Sequence, residues 1–264
     1  MSMISAKSTL EGYLKDGVDL TQRRISFGSS DISAEIESFT YSNVQVALRA
    51  IDKMLDVSNK PITIEMLSFG GEVYSMLALI DKILTSPCKF IFKGYGAVMS
   101  AATAVMAVCD ERYLSKNTMI MIHDGSSIHD GKVTDILIEI EEVDRLQKFL
   151  EKLYADNSYL NKEFWATICR RDLYLTADEA IKLGLADGII PERKRGSFRN
   201  GIRKKTFSNV PTEKELTHSI SKVFKRIKLE VPKKLSIDIK KEQFENIEEY
   251  DYSESIETSE QIKK

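Results

Sequence analysis

The chain of 264 residues is 42% hydrophobic and 30% charged, with a formal net charge of −2, which is the composition of a globular protein able to bury a sizeable core. This near-neutral balance gives no overall reason to expect a nucleic-acid-binding protein. The charged N-terminus lacks the apolar core of a signal peptide, and no later run approaches membrane-spanning length. We therefore expect no membrane partner.

The three cysteines indicate the cellular compartment. Cys88, Cys109 and Cys169 are unevenly spaced and lie in apolar surroundings, as is typical of reduced core thiols. We therefore predict a cytoplasmic protein. We also predict neither a metal site nor a cofactor.

The pattern of apolar residues predicts alternating strands and helices. The expected elements are a strand at 24–28, a helix at 41–56, a strand at 61–67, a helix at 73–84, a strand at 89–93, a helix at 101–108, strands at 113–114 and 118–122, helices at 133–154 and 161–170, a capped helix at 176–184 and a strand at 185–190. This alternation favours an α/β fold whose parallel sheet is built from crossover units.

The longest periodic segment runs from Val133 to about Tyr154, with charged residues opposite an apolar stripe. The stripe consists of Ile136, Ile140, Val143, Leu146, Leu150 and Leu153. A helix of this length often projects from its domain, so we expect it to meet a neighbouring subunit.

The composition changes after Pro191. Residues 193–205 are basic, residues 213–229 are weakly amphipathic, and the chain is acidic from residue 242 onward. The basic stretch holds few aromatic residues, and the acidic stretch could neutralise it, so we favour a solvated linker over a nucleic-acid-binding arm.

These shifts predict three regions. We expect a flexible N-terminal arm at 1–22, one folded domain at 23–190 and a basic-then-acidic extension, partly disordered, at 191–264.

Three side chains with catalytic potential fall at the ends of predicted elements. The glycine-rich stretch 94–102 delivers Ser100 onto the first turn of a helix, where a positive field and unpaired N–H groups suit an alkoxide. His123 follows a strand, and Asp172 precedes a capped helix. Because strand ends and the helix starts that follow them share one face of a parallel α/β fold, these residues are candidates for nucleophile, base and orienting acid.

Two backbone N–H groups are candidates for stabilising an oxyanion. Gly71 lacks a side chain, so its backbone can approach a substrate closely. Ala101 directly follows the candidate nucleophile. Together they would form an oxyanion hole.

Each candidate also has a purely structural explanation, and the residues taken singly leave both explanations open. Ser100 could merely cap a helix, and His123 could be a core histidine at a strand end. Asp172 could pair with the adjacent arginines, and the glycines at 70–71 could merely end a strand. His129 is an alternative base, although its glycine-containing loop favours a mobile surface histidine.

Taken together, the motifs resemble the proteolytic subunit of the Clp protease over about residues 24–190. The similar segments are the strand, Gly-Gly turn and helix at 61–80, the nucleophile turn at 96–100, the Met-Ile-His strand at 118–123, the Arg-Asp pair at 171–172 and the closing segment at 176–187. The order Ser, His, Asp also agrees. The resemblance implies a ClpP/crotonase-like α/β fold of repeated crossover β-β-α units with a projecting handle helix, followed here by a C-terminal extension.

The resemblance implies a serine endopeptidase that uses Ser100, His123 and Asp172 as its catalytic triad and Gly71 and Ala101 as its oxyanion hole. It also implies a homo-oligomer of stacked rings, commonly of seven subunits, that encloses a chamber for polypeptide substrates. The long helix would be the handle that interlocks two rings.

The resemblance further implies that the loop after His123 pairs with extended substrate as an added strand. The substrate-binding candidates are Gly70, Asp124, Gly125 and Ser126. An AAA+ unfoldase is the partner that the family suggests.

Three departures from the family pattern indicate a divergent branch. Phe69 replaces a proline before the two glycines, Val98-Met99 replaces two alanines, and Ala101 replaces a methionine. The low glycine and proline content, the high lysine and isoleucine content and the added tail suit a phage-encoded member. The alternative function for such a member is a head-maturation protease cutting scaffold and capsid proteins. A non-catalytic ring subunit and a crotonase-type enzyme acting on acyl-coenzyme A are further alternatives, and the triad residues argue against both.

Overall fold

The computed structural model describes residues 17–28, 40–125, 130–191 and 212–226. The strands are β1 (Val18–Asp19), β2 (Arg24–Phe27), β3 (Ile62–Ser68), β4 (Phe90–Met99), β5 (Glu111–Leu114), β6 (Met119–Ile122), β7 (Leu173–Thr176) and β8 (Gly188–Ile189). The helices are α1 (Tyr41–Leu55), α2 (Val73–Thr85), α3 (Ala101–Ala107), α4 (Val133–Asp156), α5 (Lys162–Ile168), α6 (Ala177–Lys182) and α7 (Glu213–Arg226).

Five strands form a parallel sheet in the order β2-β3-β4-β5-β8, and β1 adds an antiparallel edge. Helices α1, α2 and α3 connect successive parallel strands, because parallel neighbours need a crossover connection. This arrangement confirms the predicted α/β fold of crossover units. No helix in the described part of the chain is both long and apolar enough to cross a membrane.

Strand β4 changes partner along its length. Its residues 91–94 pair with β5, whereas its residues 97–99 pair with β6. The register against β3 also shifts here, between Met66 and Ser68. A strand ending at residue 93 was predicted from the sequence, and that end is wrong. Glycines 94 and 96 allow the backbone to bend while β4 continues to Met99.

Gly94 is required at the bend for steric reasons. A Cβ atom there would lie 2.7 Å from Leu114 Cδ2 and 2.8 Å from Val98 Cγ2, and both neighbours are fully buried. Gly96 takes a φ of +64°, which favours glycine.

Strands β6 and β7 form an antiparallel ladder beside the main sheet. Strand β7 was not predicted, because a segment of four residues carries little periodic signal. The capping box predicted for the next helix is confirmed: Thr176 Oγ1 accepts from the Glu179 N–H, and the Glu179 carboxylate accepts from the Thr176 N–H.

Helix α4 projects from the body, as predicted. Only Leu153 and Tyr154, near its C-terminal end, are buried. Its strongly exposed apolar side chains are Val133 at 74%, Leu137 at 56%, Ile138 at 66%, Ile140 at 50% and Phe149 at 40%. In the described part of the chain, these apolar side chains of the helix therefore remain exposed.

Both ends of the predicted domain carry additional ordered structure. Residues 18–19 were predicted to belong to a flexible arm, but they pair with β2 because the backbone hydrogen bonds of this edge strand are available. Helix α7 lies in the predicted extension and buries an apolar face. Residues 1–16, the basic stretch and the acidic tail lie outside the described residues, and the division into three regions remains a prediction.

The steric requirement for Gly94 at the bend in β4 can be tested by measuring the stability of a variant. We expect Gly94→Ala to lower the free energy of unfolding by about 1–3 kcal/mol, because the added methyl group overpacks a buried site beside stiff Val98. Gly125→Ala is the matched control, since nothing lies within 4 Å of its added Cβ atom. Urea denaturation of both variants measures the difference, and equal midpoints would contradict the steric argument.

Candidate active site

Ser100 joins strand β4 to helix α3 in a strained conformation. Its φ of 52° and ψ of −125° are uncommon for a residue with a side chain. The Ser100 N–H donates to the Met121 carbonyl over 2.8 Å, which continues the pairing of β4 with β6. The prediction of a serine at a helix start is confirmed, and the sheet fixes its position.

The carbonyl oxygen of Ser100 is also held in place by hydrogen bonds. It accepts from the Thr103 N–H at 2.9 Å and from Thr103 Oγ1 at 2.6 Å. Thr103 Oγ1 lies 2.7 Å from the buried hydroxyl of Tyr154, near the end of helix α4. Sequence reasoning missed Thr103, although a polar residue within an apolar helix was a usable signal. The strained turn is therefore anchored to the core from two sides.

His123 is hydrogen-bonded to the candidate nucleophile. Its Nε2 atom lies 2.8 Å from Ser100 Oγ. His123 directly follows β6, which is parallel to the second half of β4, so both side chains emerge at the carboxyl ends of adjacent strands. This geometry is that of a hydroxyl nucleophile next to its general base.

Strand pairing brings Asp172 close to His123, but no hydrogen bond joins the Asp172 side chain to the imidazole ring in the described part of the chain. The β6–β7 ladder ends with Ile122 opposite Leu173, so its continuation places His123 opposite Asp172. Asp172 is exposed, and within the described residues no hydrogen bond or ion pair joins it to His123. The structure therefore contains a Ser–His pair, with the acid in the facing position.

The glycine turn after β3 contacts the nucleophile. Gly70 has a φ of +116°, and a Cβ atom there would lie 2.7 Å from Ser100 Cβ. The Gly70 N–H donates to Ser68 Oγ at 3.0 Å. Gly71, with a φ of +146°, comes next and precedes α2. Ala101 is the first residue of α3, where an N–H has no acceptor within the helix.

The substrate-binding candidates occupy different environments. Gly70 is buried against Ser100, whereas Asp124 and Gly125 are exposed. The Asp124 N–H donates to the Cys169 carbonyl at 2.7 Å, which fixes the start of this loop. Ser126 and His129 lie outside the described residues.

The thiol of Cys169 does not compete as a nucleophile. Burial raises the pKa of Cys169 to about 12, so the thiol stays protonated at neutral pH. All three cysteines are free thiols, and Cys109 is also buried. Ser100 therefore remains the candidate nucleophile at this site.

Comparisons with known proteins show the family of the chain. Residues 18–193 match the family model described as Clp protease. The chain is 28% identical over 162 residues to the ATP-dependent Clp protease proteolytic subunit of Bacteroides thetaiotaomicron, covering 60% of this chain and 72% of that protein. It is 31% identical over 139 residues to the ATP-dependent Clp protease proteolytic subunit 2 of Pseudomonas aeruginosa, covering 52% of this chain and 69% of that protein.

A solved structure supports the same fold. A point mutant of ClpP1 from Listeria monocytogenes superimposes with a TM-score of 0.58 at 24% identity, covering 66% of this chain and 94% of that chain. The chain belongs to the Clp protease family and is a serine-type peptidase. The resemblance seen in the sequence is confirmed. The family match ends at residue 193, so helix α7 lies beyond it.

The contact between Gly70 and Ser100 can be tested directly. We expect Gly70→Ala to slow labelling of Ser100 by a fluorophosphonate roughly 100-fold, because moving a reacting group by about 1 Å can cost that much. Gly28→Ala is the control, since its added Cβ atom would meet only ordinary contacts, the nearest at 3.4 Å from the Leu67 carbonyl oxygen. Labelling at the same rate in both variants would show that the turn tolerates a side chain.

Proposed function

We propose that this chain is a serine endopeptidase that cleaves polypeptides with Ser100, His123 and Asp172. The hydrogen bond of 2.8 Å between His123 Nε2 and Ser100 Oγ is the observation that carries the proposal. Ser100 Oγ attacks the scissile carbonyl carbon while its proton moves to His123. His123 then gives this proton to the leaving amine, which leaves an acyl-enzyme on Ser100.

Water completes the reaction. His123 takes a proton from the attacking water, the second tetrahedral intermediate collapses, and Ser100 recovers its proton from His123. We assign the oxyanion hole to the N–H groups of Gly71 and Ala101. The close approach of the glycine turn to Ser100 and the position of Ala101 at a helix start support that assignment.

Asp172 is assigned as the group that orients the His123 ring. Its place opposite His123 in the continued β6–β7 ladder supports this role, because directly opposed residues of antiparallel strands have Cβ atoms about 4.5–5.5 Å apart. A side-chain rotation of Asp172 would then bring its carboxylate towards the imidazole. An ionised carboxylate there fixes the imidazole tautomer and stabilises the imidazolium.

Substrate is proposed to bind as an added strand between the glycine turn and the loop that follows His123. Gly70, Asp124, Gly125 and Ser126 are the assigned contacts. The exposure of Asp124 and the open space around Gly125 support backbone pairing there. Recognition through backbone hydrogen bonds predicts broad side-chain specificity.

A homo-oligomer of stacked rings, possibly of seven subunits, is the proposed assembly. The exposed apolar side chains of α4 support a partner on the handle helix, because such a surface favours association. The free thiols support the proposed cytoplasmic location. An AAA+ unfoldase partner and a role in cutting phage scaffold and capsid proteins remain predictions. The Ser100–His123 hydrogen bond favours an active peptidase over a non-catalytic ring subunit.

Replacing the nucleophile tests the proposal. We expect Ser100→Ala to reduce kcat for peptide cleavage by a factor on the order of 10⁶, because loss of a triad serine removes covalent catalysis. Assembly measured by sedimentation should be unchanged. Ser221→Ala, an exposed serine whose hydroxyl donates only to the Thr217 carbonyl, is the control. Fluorophosphonate label on another residue of the wild-type chain would refute the assignment of Ser100.

Replacing the acid tests the third member of the triad. We expect Asp172→Asn to lower kcat about 10⁴-fold, because an amide cannot stabilise the imidazolium or hold the correct tautomer. Asp81→Asn makes the same change on an exposed part of helix α2 and should leave kcat unaltered. If Asp172→Asn cleaves peptide as fast as the wild-type chain, Ser100 and His123 act without Asp172.

A further inference from the structure

Helix α7, which lies beyond the family match, packs against both helices that flank the segment carrying Asp172. The Phe224 ring meets the Phe164 ring of α5 edge-on, with centroids 5.5 Å apart. At the end of α7, the Arg226 guanidinium donates to the Glu179 carboxylate of α6 at 3.1 and 3.2 Å. The side chains that α7 buries, each at most 1% exposed, are Leu216, Ile220, Val223 and Phe224.

Glu179 connects this contact to the strand that begins after Asp172. Its carboxylate accepts from the N–H and the hydroxyl of Thr176, the last residue of β7. Although burial alone would raise it, the pKa of Glu179 is held below its usual value by hydrogen bonds from Thr176 and Arg226. The ionised carboxylate thus joins the end of α7 to the end of β7.

Arg226 also reaches the surroundings of Asp172 itself. A surface cavity of about 280 Å³ is lined by Arg171, Asp172, Tyr174 and Arg226. We infer that helix α7 is a brace that positions Asp172 for catalysis, with Arg226 as the positioning residue. This inference rests on the proposed role of Asp172 in the triad.

The contact is suited to positioning rather than to global stability. The side chains of Arg226 and Glu179 are 44% and 26% exposed, and exposed ion pairs contribute little to the free energy of unfolding. Holding both helices that flank the Asp172 segment restricts the positions its carboxylate can take relative to His123. Loss of Arg226 should therefore slow catalysis while the chain stays folded.

The test compares Arg226→Gln with Lys222→Gln in the full-length chain. Lys222 is exposed on the same helix, and its replacement by glutamine removes the same single positive charge. We expect Arg226→Gln to lower kcat for peptide cleavage roughly tenfold with KM unchanged, because misplacing a catalytic group by less than about 1 Å costs less than about 100-fold. Lys222→Gln should match the wild-type chain, Arg226→Lys should restore part of the activity, and the melting temperature should hardly change.

A double-mutant cycle with Asp172→Asn identifies the route of the effect. If Arg226 acts through Asp172, Arg226→Gln should have no further effect in the Asp172→Asn background. An equal loss in both backgrounds, or identical kcat for Arg226→Gln and Lys222→Gln, would overturn the inference alone. Failure of the wild-type chain to cleave peptide and to label at Ser100 would instead overturn the proposed function, and the inference with it.

Discussion

The divided pairing of strand β4 is the constraint on which the site depends. One half of the strand pairs with β5 in the main sheet, and the other half pairs with β6. Glycines 94 and 96 make this possible, because they allow a close approach and a positive φ without breaking the strand. The second half of β4 then places Ser100 next to the end of β6, where His123 begins the loop that follows this strand.

Two ladders of opposite direction bring the three candidate residues together. The parallel β4–β6 ladder places Ser100 beside His123, and the antiparallel β6–β7 ladder places His123 opposite Asp172. The first pair is connected by a hydrogen bond, because Ser100 is fixed through its backbone N–H and its carbonyl. Asp172 is exposed, and within the described residues no hydrogen bond or ion pair joins it to His123. Of the three candidate residues, Asp172 is thus the one that no hydrogen bond joins to the other two.

Much of this arrangement could be predicted from the sequence, because helical periodicity and strand alternation are local signals. The positions of Ser100 and His123 at element ends followed from the same pattern. Strands β1 and β7, of two and four residues, were missed because so short a segment carries no periodic signal. The extension of β4 was missed because glycines normally mark a turn, and only the pairing with β6 shows that they mark a bend. The separation of Asp172 from His123 depends on side-chain rotamers, which the sequence does not specify.

Helix α7 shows how an added segment can influence a site it does not enter. A helix of 14 residues is marginally stable alone in water, so its order depends on docking its apolar face. The surface that it covers belongs to α5 and α6, the elements on either side of Asp172. Docking and the placement of the acid are therefore coupled, because whatever loosens α7 also loosens the segment between α5 and α6. Under the proposed role of Asp172, a segment beyond the family match acts on the chemistry through the candidate residue that no hydrogen bond joins to His123.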